Sequence, residues 1–261
     1  MFKRILSDAF SLVFSSLDVV FRACGAWFLL LLVFQICIMV FVPELTSAGA
    51  SSTSGPSTSA LFMTLVSGIF SLVSSASIGV AWHRYGLLGE VPDLIHLKVG
   101  GLELSFIGKS LLIMLVTVAV FLPVGLVAFG LSALIGSGIV AVIIYGAAFI
   151  FLVPHLMRLN LMLPATAVER PIGLKEAHAL GVGLGWPMIG AGIVLSLPFI
   201  LASVGLQMIL TFVAAGLPLV LIQFKFMLLG LLIQIIVTVL GISVITAGYR
   251  LALERQNQGT A

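Results

Sequence analysis

Apolar residues in this chain come in long runs, separated by short polar stretches. Six runs stand out, at about residues 23–42, 60–82, 109–130, 137–157, 187–212 and 227–249. Each is close to the roughly 20 residues a helix needs to cross the hydrocarbon core of a bilayer. Only helices and closed barrels satisfy their own backbone groups in lipid. The pattern therefore predicts an all-α, polytopic membrane protein with six transmembrane helices, in one membrane domain over 1–261.

The first 22 residues read differently. Ile5, Leu6, Ala9, Phe10, Val13, Leu17 and Val20 fall on one helical face. Arg4, Ser7, Asp8, Ser11, Ser15, Asp18 and Arg22 fall on the other. This spacing predicts an amphipathic helix over 1–22 that lies in the interface and leads into the first span. The same polar residues interrupt any apolar core of a signal peptide.

The links divide the spans into pairs. Residues 43–59 are rich in Ser, Thr and Gly, with Glu44 their only charge, and read as a flexible loop. The link around Ser132–Gly138 is very short, so spans three and four form a tight hairpin. Residues 83–108 and 158–186 are longer, polar and read as amphipathic interfacial segments. Three units result, over about 1–83, 84–157 and 158–250, each an interfacial helix followed by a hairpin. The second and third echo each other at an offset of 82, with His96, Gly101, Leu102, Ile107 and Gly108 matching His178, Gly183, Leu184, Ile189 and Gly190. Transporters often carry inverted repeats with a site at the repeat interface; three parallel units depart from that plan.

Composition narrows the function. The chain is 61% hydrophobic and 8% charged, where a soluble domain carries roughly 25% charged residues. Six spans leave room for loops and interfacial segments but not for a soluble catalytic domain. A net charge of +3 is too small for a nucleic-acid-binding face. Orientation follows from Lys and Arg, since every one of the 12 except Lys225 falls on one side. The positive-inside rule puts that side, and both termini, in the cytoplasm. Eight of the nine acids lie there too, so the face is zwitterionic, not polybasic. Trp27, Trp82 and Trp186 fall near the same ends of their spans, as an aromatic belt requires. Cys24 and Cys37 are 13 residues apart on one predicted helix, about 20 Å, so they cannot pair.

The candidate chemistry is sparse. Arg84 with Glu90, Arg158 with Glu169, and Arg250 with Glu254 are three Arg–Glu pairs at span ends. Together they would ring a vestibule that binds a lipid headgroup or other anion, because the guanidinium fork suits phosphate. Their plainer role is to snorkel, set topology and pin the interfacial segments. Ser67, Ser71, Ser75 and Gly79 recur every four residues on span two, a small-residue face for helix packing or for a partner. His83, His96, His155 and His178 lack the spacing of a metal set and read as interfacial hydrogen-bonding residues, His178 solvent-facing or near Glu176. Gln35, Gln207 and Gln234 are the intramembrane amides, suited to bonding between helices. The absence of an ionisable residue at mid-span argues against an ion-coupled pump. The glycines of Gly181-Val-Gly183-Leu-Gly185 are followed by no Lys-Ser/Thr and do not make a phosphate loop. No catalytic residue, metal or cofactor is expected.

Arg158-Leu-Asn-Leu-Met-Leu-Pro164, Glu169, Gly173-Leu-Lys-Glu-Ala177 and Trp186 form a pattern, with a counterpart in Trp82-His-Arg84, Gly89-Glu90, Pro92 and Gly100-Gly101. It resembles the membrane domain of bacterial glycerophosphodiester phosphodiesterases and the related YciC-like membrane proteins. The resemblance implies a six-span bacterial inner-membrane fold with interfacial helices. It implies no phosphodiesterase activity, which in that family belongs to a soluble domain that this chain lacks. Two functions remain open. One is a non-catalytic partner or organiser of a membrane complex; the other is a transporter or flippase of a lipid or similar amphiphile.

Overall fold

A computed structural model describes the backbone of residues 1–41, 58–213 and 219–259, and side chains over 1–38, 58–209 and 224–258. The loop expected over 43–59, with Glu44, lies outside the described residues except for its last two positions. Among the described residues the chain is mostly helical, with no strand. Three helices are short: α1 (Phe2–Phe14), α6 (Met162–Ala167) and α7 (Leu174–Leu180). The six others are α2 (Leu17–Phe41), α3 (Thr58–Leu88), α4 (Gly101–Ile135), α5 (Gly138–Leu159), α8 (Gly185–Val213) and α9 (Leu219–Gly259). All six are long and apolar enough to cross a membrane. The protein is an all-α polytopic membrane protein, as its hydropathy predicts.

The helices outrun the predicted spans. α4 has 35 residues and α9 has 41. At 1.5 Å per residue they are about 52 and 61 Å long, against a hydrocarbon core of about 30 Å. Hydropathy marks only the part inside the core, whereas helical hydrogen bonding continues past the interface. The charged residues collect where α3, α5 and α9 end and where α4 and α8 begin; this is called the charged end below.

Helices α3, α4, α5, α8 and α9 close a ring, each against the next, with α2 outside against α3 and α9. The α4–α5 hairpin turns at Gly136, whose φ of 69° suits a residue without a side chain. Phe129, Leu134, Ile139, Val142 and Phe151 on this hairpin are exposed, as lipid-facing residues would be. At the charged end α6 enters the ring and packs on α3, α4 and α9, with five of its six residues buried. It is a plug where the sequence pattern suggests a segment lying flat in the interface.

Two further differences concern the repeat. The helix expected over 1–22 is two helices. α1 stops at Phe14, Ser15 and Ser16 break it, and Tyr85 fixes the break by donating a 2.6 Å hydrogen bond to Ser16 Oγ. α1 buries Ile5, Ala9 and Val13, but Phe10 and Leu17 from the expected apolar face are exposed. α1 follows α8 closely: Phe2 lies over Gly190, and Phe14 stacks on Phe199. The second difference is that 89–100 forms no helix. Gly89 (φ 74°), Pro92 and Gly100 interrupt it. The three units are therefore unequal before their hairpins, although α4 and α8 begin close to the 82-residue offset.

Candidate functional site

The polar residues that α3 carries toward the charged end are each held from outside α3. Trp82 Nε1 donates to Ser243 Oγ at 2.7 Å, and that hydroxyl donates to Val239 O. One residue on, His83 Nδ1 lies 2.9 Å from Thr246 Oγ1, whose own proton goes to Ile242 O. The hydroxyl is thus the acceptor from His83, which fixes the proton on Nδ1. These two relays lock α3 to α9 inside the bundle and leave both rings fully buried.

Next comes Arg84. Its Nε and Nη2 donate to the two carboxylate oxygens of Glu90 at 2.7 and 3.0 Å. Its Nη1 donates to Glu169 Oε1 at 2.8 Å and to Ala167 O, the C-terminal carbonyl of α6, at 3.1 Å. Four of the five guanidinium N–H groups are so engaged. Arg84 clamps the plug to α3. Hydrogen bonding from Arg84 holds the Glu90 carboxyl below its ordinary range, against a smaller opposing effect of burial.

Glu169 reaches Arg84 from an unusual backbone. Arg170 N bonds Ala165 O and Glu169 N bonds Thr166 O, the two bonds of a Schellman motif closing α6. The left-handed position, usually glycine, is Glu169 with φ 59°. A side chain there costs about 1–2 kcal/mol, and the carboxylate it places on Arg84 is what that strain accompanies.

The three expected Arg–Glu pairs are therefore rearranged. Arg84–Glu90 forms. Arg158–Glu169 does not: Glu169 goes to Arg84, while Arg158 lies under Gly181 with its Nε buried and without a partner. Arg250–Glu254 does not: Arg250 donates to Gly86 O, and Glu254 pairs with Arg4 of α1. The i, i+4 pairing of the last helix loses to tertiary partners. A cavity of about 360 Å³ opens beside Arg84, and neither Arg158 nor Arg250 lines it. Among the described residues the three arginines do not line one vestibule.

That cavity also contains groups outside the expected Arg–Glu pairs. Glu103, on the first turn of α4, is 2% exposed, and its Oε2 accepts the Gly100 N–H at 2.8 Å. This is half of a capping box, since glycine has no side chain to return the bond. His96 is 9% exposed, and its Nε2 has no hydrogen-bond partner. Burial pushes the His96 pKa below its ordinary value, opposed by the nearby Glu103 charge. Asp93 and Lys98 complete the wall. The spacing Gly100-x-x-Glu103 was the legible signal for Glu103; His96, read from the sequence as an interfacial hydrogen-bonding residue, lies here with its Nε2 unbonded among the described residues.

The other histidines sit elsewhere. His155 Nδ1 and His178 Nε2 are 2.9 Å apart, with rings stacked at 5.2 Å and 12°, joining α5 to α7. His178 is half-buried and pairs with His155 in an exposed contact. Burial first, then the Arg158 charge and His155, lower its pKa. Among the described residues no group of three or more His, Cys, Asp or Glu is placed to hold a metal ion. Cys24 and Cys37 are both free.

The small-residue face of α3 splits in two. Gly79 is buried against the ring of Phe106 on α4. Ser71 and Ser75 are exposed and line a crevice of about 250 Å³ between α2, α3 and α9, together with Gln35, Gln234 and Thr238. Ser67 is not among its lining residues. Measured along the helices from Ser16, Tyr85 and Gly248, the crevice lies about 10–28 Å into the bundle. Neither Gln35 nor Gln234 has a side-chain hydrogen bond among the described residues, so the interhelical bonding expected of these two amides is not made among them.

No protein family, curated protein or solved structure matches this chain.

Proposed function

We propose that the protein acts by binding within the membrane, as an accessory or organising partner of a membrane complex, and not by catalysis. The observation that carries this reading is the crevice between α2, α3 and α9, where two carboxamides and two small hydroxyl residues face outward at hydrocarbon depth. A polar group left unsatisfied in lipid is penalised by several kcal/mol. A neighbouring transmembrane helix with hydrogen-bonding side chains would relieve that penalty, and serine in place of a larger residue permits its close approach. The charged end faces the cytoplasm in this reading, and the membrane is a bacterial inner membrane, on the strength of the Lys/Arg distribution and the family resemblance.

Transport of an amphiphile is less well supported. The cavity at Arg84 and the crevice lie on faces of α3 about a third of a turn apart, at 100° per residue, so α3 offers no continuous polar path between them. The test is native mass spectrometry of protein extracted gently from its own membrane. A stoichiometric protein companion in wild type, lost in Ser75→Leu, is expected. A homogeneous protein without companion would overturn the reading.

A further inference from the structure

We propose that the cavity beside Arg84 is a headgroup site for a zwitterionic aminophospholipid, one carrying a primary ammonium two carbons from its phosphate. The inference is independent of the crevice and of any protein partner.

The lining carries both signs of charge. Its acceptors are the buried Glu103 carboxylate, Asp93 and the His96 Nε2, which has no partner among the described residues. Neither acid has an ion-pair partner among the described residues, although Glu103 is 2% exposed. A buried carboxylate without a cation is costly, and an ammonium supplies the cation with three donors. Its lining also holds cationic donors: Lys98, unpaired among the described residues, and the Arg84 guanidinium with one uncommitted N–H. A guanidinium and an ammonium both suit a phosphate. With His96 neutral, the lining has four acids and two bases. An anion alone would meet a net negative wall; a zwitterion meets lining groups of both signs.

The level is right for a lipid. Glu103 lies six residues before Lys109 on α4, about 9 Å along the axis toward the charged end, within the headgroup layer if Lys109 marks its edge. The irregular segment 89–100 exposes Leu94, Ile95, Leu97 and Val99 next to the cavity. Apolar side chains in that position belong against acyl chains, which a soluble phosphoethanolamine would not provide. The site therefore draws its ligand from the bilayer.

The full-length protein is placed in nanodiscs of phosphatidylglycerol mixed with phosphatidylethanolamine or with phosphatidylcholine, and co-retained lipid is counted by native mass spectrometry. Choline's three methyl groups remove every ammonium donor. Retention of phosphatidylethanolamine over phosphatidylcholine by about tenfold, the ratio for one such hydrogen-bonded charge, is expected. Glu103→Gln keeps an oxygen for the Gly100 N–H and removes only the charge; the preference is expected to fall to near unity. Lys98→Ala, an exposed change that leaves the fold intact, is expected to lower retention of both lipids. Equal retention of the two lipids by wild type, or an unchanged preference in Glu103→Gln together with unchanged retention in Lys98→Ala, would overturn the proposal. Displacement of the bound lipid by millimolar soluble phosphoethanolamine would overturn the lipid source.

Discussion

Glu169 shows how a single backbone angle ties a side chain to its task. Its φ of 59° belongs to glycine, and the carboxylate it directs onto Arg84 is largely exposed. Exposed ion pairs contribute little, about 0–1 kcal/mol. Glu169→Ala loses the ion pair and keeps the strain, whereas Glu169→Gly loses the ion pair and relieves it. Glu169→Gly is therefore expected to be the more stable of the two by about 1 kcal/mol in thermal unfolding. Equal midpoints would mean that the loop relaxes. At Thr246 the hydroxyl both accepts from His83 and donates to Ile242 O. Thr246→Val preserves shape but orphans the His83 N–H, and is expected to destabilise by about 1 kcal/mol in the same assay. These partners were not legible in the sequence. Trp82, His83 and Arg84 are adjacent in a visible cluster, yet their partners lie 161, 163 and 85 residues away, and no local spacing encodes a tertiary pair. The one contact that spacing did reveal, Arg84 with Glu90, is six residues long.

Helices were easier to read than their ends. A run of apolar residues fixes the existence of a span because lipid demands an internally bonded backbone. It says nothing of where charged turns continue, so α3, α4 and α9 were longer than their runs. The short elements were least legible. α6 is apolar because it is inside the ring, not because it lies in an interface, and a six-residue segment carries too little periodicity to tell the two apart. α5 and α8 approach closely at the charged end: a Cβ on Gly185 would collide with the Pro154 carbonyl. Gly185→Ala is expected to push α8 off α5 and destabilise by about 1–3 kcal/mol, visible as a lowered unfolding midpoint. The α5–α7 join should respond to pH. His178 has a folded pKa below its ordinary value, so the folded state favours the neutral ring. Its contribution is intact above that ordinary value and is lost as pH falls from there toward the lowered folded value. Hydrogen exchange over 174–180, corrected for intrinsic rates, is expected to quicken between pH 8 and pH 5, and to lose most of that dependence in His178→Asn.

The whole molecule is a five-helix ring with a buried plug at its charged end and α2 on its outer side. Its polar groups divide between two places. At the charged end Arg84, the two relays from Trp82 and His83, and the α1–α9 pair Arg4–Glu254 satisfy many of them within the chain, while His96 Nε2 and Arg158 Nε have no partner among the described residues. Between α2, α3 and α9 the two carboxamides have no side-chain hydrogen bond among the described residues, and Gln35 and Gln234 face outward with Ser71 and Ser75. That contrast supports the reading of a protein completed by a neighbour in the bilayer. Sequence alone named the serines and glutamines separately, but their convergence depends on how α2 sits against two helices distant in the chain. The most direct measurement is site-specific photo-crosslinking in the native membrane from a photoreactive residue placed at Ser71, with a second placed at the lipid-facing Phe151 as control. A discrete protein adduct from position 71, absent from position 151, is the predicted result. Lipid adducts alone from both positions would contradict the account.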